Sequence, residues 1–212
     1  MHILKSQKYY SRENYIEVIG MPASGKSTLV KKLYFDEDKY YDVNSNLPKN
    51  KYIRLIIRII YSILAILYSP KEALKDIRVI ISSKQKTKKD LIIVTVNWLF
   101  IIYACNYRKN KNILWVWDQG IFQAIWSIAF SSQKEVEYIQ LLKNKNLPQK
   151  VHFTDADDET LRRRAAGRKV FIRLDYRNNE DVIQARKSLG IVLDLLERCN
   201  YSNDSFVYWK EG

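Results

Sequence analysis

The chain is 212 residues long, 47% hydrophobic and 28% charged, which excludes a disordered chain and suits one α/β domain with a substantial core. Its formal net charge of +13 points to an anionic partner (nucleotide, phosphorylated substrate, nucleic acid or acidic membrane) without choosing among them. Two distant cysteines, Cys105 and Cys199, and a charged, tyrosine-rich opening unlike a secretory signal suggest packed thiols in a reducing, cytoplasmic setting.

Residues 1 to 14 are polar and read as a lead-in without a motif. Tyr15 to Ile19 is a short apolar strand running into Gly20-Met21-Pro22-Ala23-Ser24-Gly25-Lys26-Ser27, which fits G-x-x-x-x-G-K-[ST]. A helix follows, with Leu29, Val30 and Leu33 on one face. Gly20 and Gly25 let the backbone bend and approach phosphate oxygens, so that consecutive N–H groups and the helix N-terminus surround an anion. Lys26 then sets a cation against the β- and γ-phosphates, and the Ser27 hydroxyl is available to Mg²⁺. Ala23, Ser24 and Thr28 complete the residues expected at the nucleotide. The strand before and the amphipathic helix after make a chance G-K-S at a helix start the weaker reading.

Tyr34 to Lys51 reads as a loop with an acidic triplet, Asp36-Glu37-Asp38, and room for one short strand; Asp42 is either a solvated loop residue or part of an acceptor site. From Lys51 to Tyr107 two strongly apolar segments, YIRLIIRIIYSILAILYSP and LIIVTVNWLFIIYACNY, flank a basic linker. The first carries Arg54 and Arg58 one turn apart, and the second has no charge and is borderline in length for a membrane span of about 20 residues. Three readings compete. The preferred one makes both segments buried helices flanking a sheet. The second rests the arginine-bearing helix and the lysines between Lys84 and Lys89 on anionic lipid. The third, a transmembrane hairpin, is disfavoured by Arg54 and Arg58 and by the need of the first strand to pair with the strand that follows.

That strand is Ile113 to Trp117, a near-continuous apolar run suited to the centre of a parallel sheet. It ends in Asp118, where open α/β sheets place ligands. A carboxylate there can hold Mg²⁺ through water or take a proton from an attacking hydroxyl; the plain alternative is a helix N-cap. In the next helix, roughly Ile121 to Phe130, Gln119, Gln123 and Ser127 share one stripe that either reads a neutral polar substrate or faces solvent. Glu135 to Lys143 reads as an amphipathic helix and Lys150 to Thr154 as a strand with a structural His152.

Asp155 to Arg177, DADDETLRRRAAGRKVFIRLDYR, opens with aspartates suited to a helix N-terminus and carries Arg162, Arg163, Arg164 and Arg168. Arg164 and Arg168 project from one helical face as guanidinium forks fitted to phosphoryl oxygens, with Gly167 as a hinge, unless the segment is simply a basic surface helix. Glu180 to Cys199 reads as a long helix with Val182, Ile183, Leu189, Val192, Leu193 and Leu196 in the core, and Phe206 to Trp209 as a last strand.

In that order of motifs the chain resembles the nucleoside and nucleoside-monophosphate kinases of the P-loop superfamily, particularly the thymidylate-kinase-like branch. GMPASGKST carries the resemblance most strongly, and TLRRRAAGR looks like that family's lid. The resemblance implies an α/β P-loop NTPase fold, a parallel sheet with helices on both faces, in a single domain over 1–212. Residues 51–107 would face the acceptor or a membrane, and 155–178 would form the lid. It implies ATP and Mg²⁺ on Gly20 to Ser27, Ser27 and Asp118 at the metal, Asp118 near the acceptor hydroxyl, and Arg164 and Arg168 closing over the phosphates. Where the family commonly has Asp-Arg or Glu-Arg-Ser after the middle strand, this chain has Asp118-Gln119-Gly120. A neutral hydroxyl acceptor such as a nucleoside, sugar or polyol, met by Gln119 and Gln123, then fits better than a nucleotide. No N-K-x-D or D-x-x-G supports a GTPase. A non-catalytic ATP-binding protein is the alternative, peripheral contact with the inner membrane face and a homodimer stay open, and nucleic acid rests on charge alone.

Overall fold

The computed structural model of the chain describes residues 11–33, 40–42, 47–106, 114–167, 174–202 and 204–210. The elements run β1 (Ser11–Gly20), α1 (Lys26–Leu33), β2 (Tyr40–Asp42), α2 (Lys51–Tyr68), α3 (Pro70–Ser82), α4 (Lys88–Asn106) and β3 (Leu114–Trp117). There follow α5 (Ile121–Phe130), α6 (Ile139–Leu142), β4 (Asn146–Asp155), α7 (Asp158–Ala166), α8 (Asn179–Arg198) and β5 (Phe206–Lys210).

The strands lie in the order β2-β3-β1-β4-β5 and every pairing is parallel. Alternate residues of β1 face opposite sides of this sheet. Val18 meets Val116, Leu29 and Val30 on the side covered by α1. Tyr15 and Ile19 meet the larger core, to which α4, α5 and α8 contribute Trp98, Phe122, Ile125 and Val192. A parallel sheet buried by helices on both faces is thus the architecture observed, as the P-loop reading implied. The register sets Gly20 beside Thr154 and Glu17 beside Trp117, which brings the carboxyl ends of β1, β3 and β4 to one edge.

Residues 51–106 differ from the expectation of two buried helices. In α4, Trp98, Leu99, Phe100 and Ile101 are buried. In α2 only Ser62 and Ala65 are, because α2 meets α4 along a narrow stripe where the Ser62 hydroxyl donates to the Val96 carbonyl at 2.9 Å. The face of α2 turned toward α4 carries Arg58 and Ser62 while its more apolar face stays exposed, so apolar pattern alone does not declare which side is covered. Much of the expected linker is α3, opened by Pro70 at its first position and bent by 119° from α2. Asp76 on α3, pushed up in pKa by burial, pairs with buried Lys145 at 3.0 Å and accepts the Trp98 indole N–H at 2.9 Å. Among the described residues α4 is long and apolar enough to cross a membrane, as is the bent pair of α2 and α3 taken as one span.

Two smaller expectations also change. Between Glu135 and Lys143 only the four residues of α6 are helical, since the N–H groups of Gln133 and Lys134 are drawn to the Ser83 carbonyl at 3.2 and 3.0 Å. In α8, Ile183 is exposed while Val182, Leu189, Val192 and Leu196 are buried. Cys105 and Cys199 are both buried and form no disulfide.

Candidate active site

The turn between β1 and α1 is held from below by its neighbours. Gly20 has φ +148°, and a Cβ there would sit 2.3 Å from the Thr154 carbonyl oxygen, so only glycine lets β1 end against β4. Its N–H donates to the Gln123 side-chain oxygen at 3.1 Å, and the buried Ser24 hydroxyl meets Thr154 Oγ1 at 2.7 Å. Gly20→Ala is therefore expected to destabilise the protein by more than about 3 kcal/mol, read as a lowered melting temperature. An unchanged melt would show that β4 can move aside.

Above this support lies a cavity of about 280 Å³ at the carboxyl edge of the sheet. It brings together Ala23, Gly25, Lys26, Ser27 and Thr28 with Asp118 and Gln119 from the end of β3 and Gln123 and Ser127 from α5. Lys26 Nζ donates to the Gly20 and Met21 carbonyls, both at 2.9 Å, and the Ser27 hydroxyl donates to Asp118 Oδ2 at 3.2 Å. A hydroxyl and a carboxylate at the start of a helix suit Mg²⁺, which takes few protein ligands and keeps water and phosphate as the rest. Gly25 at φ +95° and Ala23 at φ 70° turn the main chain into the concave form that anions occupy. Gln119 precedes α5 rather than belonging to it, and Gly120 is the N-cap residue, so Asp118 does not cap the helix. The Gln119, Gln123 and Ser127 stripe turns to the cavity, joined by Trp126 and by Asn97 of α4.

Glu17 supports this site and escaped the sequence reading. It is fully buried in β1, and its carboxyl accepts the N–H groups of Phe122 at 3.1 Å and Gln123 at 2.7 Å, filling the place of a side-chain cap at α5. A Cβ on Gly120 would lie 2.6 Å from the Glu17 carboxyl carbon, so that glycine leaves room for it. Burial pushes Glu17 up to about 8, partly offset by these N–H donors. The readable signal was a lone acid inside YIEVIG, since a charge in a strand covered on both faces must find partners.

His152 is buried in β4 and accepts the Trp209 indole N–H on Nδ1 at 2.8 Å, and burial lowers it to about 4. These two groups give a pH prediction. A raised Glu17 contributes stability that is present below about 4.5 and lost as pH rises through about 8, whereas a depressed His152 contributes stability present above 6.5 and lost as pH falls through about 4. The two slopes oppose each other at acid pH. The unfolding free energy should change little between pH 4.5 and 6.5 and then fall toward pH 8, by up to about 1.4 kcal/mol per pH unit. Glu17→Gln should remove that fall in chemical denaturation, and a wild-type stability rising toward pH 8 would contradict the assignment.

The arginine segment is divided. α7 is capped by Asp157, whose carboxylate accepts the Thr160 N–H at 2.7 Å. Arg162 donates to the Tyr176 carbonyl and, at 2.7 Å, to the Asn179 side chain, so it fastens the segment to α8. The Tyr176 hydroxyl donates to the Pro22 carbonyl and ties the segment to the phosphate loop. Arg164 is half-buried on α7 and does not line the cavity, while Arg168 lies outside the described residues. Gly20 and Ser24 lie beneath the cavity rather than on its wall. At Gly167 a Cβ would meet ordinary contact distances, so a glycine is not required there.

No curated protein matches the chain by sequence. Among solved structures it is similar to thymidylate kinase from Candida albicans, at 16% identity over 94% of this chain and 84% of that one, with a TM-score of 0.47. It is also similar to deoxyadenosine kinase from M. mycoides with bound dATP, at 12% identity over 92% of this chain and 90% of that one, with a TM-score of 0.44. Residues 16–185, well over half of the sequence, match the family described as AAA domain. A G-x-x-x-x-G-K-S turn on a parallel sheet, matched over that length, means that the chain belongs to the AAA domain family and carries its P-loop fold.

Proposed function

We propose that the protein is an ATP-dependent kinase that transfers the γ-phosphoryl group to a hydroxyl of a small neutral acceptor, a nucleoside, sugar or polyol. The observation that carries this reading is the single cavity in which Lys26, Ser27 and Asp118 share a wall with Asn97, Gln119, Gln123 and Ser127. Phosphoryl transfer asks a protein mainly for positioning and for charge stabilisation. Gly25 to Thr28 offer N–H groups and the start of α1 to a triphosphate, and Lys26 offers the cation. Mg²⁺, which Ser27 and Asp118 would hold, supplies neutralisation of charge on the β- and γ-oxygens. Asp118 is also the group that takes the proton of the acceptor hydroxyl. The acceptor oxygen bonds to the γ-phosphorus, the bond from phosphorus to the bridging oxygen breaks, and ADP leaves with that electron pair. Arg164 and Arg168 are the proposed lid cations, drawn over the cavity when the segment closes and water is excluded.

Apart from Lys26, every polar side chain on this wall is an amide, a hydroxyl or the one carboxylate among the described residues. Amides and hydroxyls recognise hydroxyl groups by paired donors and acceptors, whereas a phosphorylated acceptor would want a second cation there. The test is transfer from ATP and Mg²⁺ to nucleosides, sugars and polyols against the corresponding monophosphates, followed by label appearing in the acceptor. Label in a neutral acceptor supports the reading. Label only in monophosphates would reassign the acceptor class, and ATP binding without any transfer would make this a regulatory ATP-binding protein.

A further inference from the structure

Among the described residues the outer face of α2 has no partner. Tyr52, Ile56, Ile59, Ile60, Ile63 and Leu67 fall on one side of this helix, and all six are exposed, Leu67 by 69%. An apolar stripe of that length on a folded domain marks a contact surface. Tyr52 and Tyr68 bracket it, and beyond them lie Lys49, Lys51 and Lys71. Tyrosine at the ends of an apolar face and lysine beyond it match a helix lying in a bilayer interface, the ring at headgroup depth and the ammonium in water.

The charges nearby have one sign. Residues 47–106 hold eleven lysines and arginines against three acids, Glu72, Asp76 and Asp90. Each acid is already engaged: Glu72 and Asp76 with Lys145 at 3.5 and 3.0 Å, and Asp90 with the Thr87 hydroxyl at 2.8 Å. At the start of α2, Lys49, Lys51, Arg54 and Arg58 line an open groove whose other walls are Tyr52 and Leu55, so the groove borders the apolar stripe. Arg58 is turned toward α4, its guanidinium 5.6 Å over the buried Phe100 ring, and burial, then the charge of Arg54, lowers its pKa. The other three cations of the groove, Lys49, Lys51 and Arg54, with no carboxylate among the described residues there, form a receptor for anionic oxygens.

We propose that α2 docks the protein on an anionic membrane surface, its stripe from Tyr52 to Leu67 lying at the acyl boundary and Lys49, Lys51 and Arg54 taking lipid headgroup phosphates. The test uses the full chain in flotation with phosphatidylcholine vesicles with and without phosphatidylglycerol, at low and high salt. Binding is expected only with phosphatidylglycerol and is weakened by salt. The double variant Lys49→Gln and Lys51→Gln should lower partitioning by about fivefold per charge, and Ile56→Ser with Ile60→Ser by at least about tenfold, both with an unchanged thermal melt because these side chains are exposed. Three results in these assays would each overturn the proposal, and a fourth would come from nucleic acid. The three are absence from both vesicle types, equal partitioning of the isoleucine variant, and a wild-type dimer that the isoleucine variant dissociates while neither form binds lipid. Salt-sensitive binding of an RNA or DNA oligonucleotide in place of vesicles would also overturn it.

Discussion

Lys26→Ala is expected to lower phosphoryl transfer by about 10²–10³-fold or more and to leave the melting temperature within a few degrees. The ammonium is the one cation on the cavity wall among the described residues. Its two hydrogen bonds, to the Gly20 and Met21 carbonyls at 2.9 Å, hold it at the mouth of the loop where β- and γ-oxygens would come. Charge that grows on the moving phosphoryl is stabilised by a group fixed in advance, without reorganisation. The fold does not depend on it, because Lys26 is only half-buried, and the loop is shaped from beneath by Gly20, Ser24, Thr154 and Gln123. Measuring kcat/KM beside a thermal melt separates the two effects. Near-normal transfer would remove the loop from the chemistry, and a collapsed melt would make Lys26 a structural residue.

The second large effect is expected at Asp118. Asp118→Asn keeps the size of the side chain and an oxygen able to accept from the Ser27 hydroxyl, now at 3.2 Å from Oδ2. It cannot accept a proton from an acceptor hydroxyl. Transfer should fall by about 10²–10⁴-fold, while affinity for ATP with Mg²⁺, read by calorimetry, changes only a few-fold. Equal loss of both would leave the carboxylate its metal or structural role alone and remove its role as base. Ser27→Ala is the matched control, since it removes the hydroxyl and leaves the carboxylate in place.

Much of this site could be read in the sequence because its chemistry is local. Gly20 to Ser27 form one turn of consecutive main-chain groups, so the spacing itself carries the information, and Asp118 is marked by the end of an apolar strand. The supporting residues are harder to see. Glu17 finds its donors in Phe122 and Gln123, more than a hundred positions away, and Asn97 reaches the cavity from the stretch of α4 after Asp90, which carries no charge. In both cases the signal was one polar residue in an apolar run, which says that a partner exists without saying where. The arginines show the converse limit. Their spacing suggested that Arg164 and Arg168 form a pair of forks, and Arg168 lies outside the described residues; what spacing did not show is that Arg162, in the same run, fastens α7 to Tyr176 and to the start of α8. Helical pattern was likewise a poor guide to burial: α2 and α4 are both long and strongly apolar, and packing leaves the apolar face of α2 bare while covering much of α4.

The most direct measurement is a crystal structure grown with Mg²⁺ and a non-hydrolysable ATP analogue. The account predicts β- and γ-phosphates against the N–H groups of Gly25 to Thr28, the Lys26 ammonium transferred to them from the Gly20 and Met21 carbonyls, and a metal touching the Ser27 hydroxyl. A nucleotide bound elsewhere, with Lys26 still on those carbonyls, would contradict it.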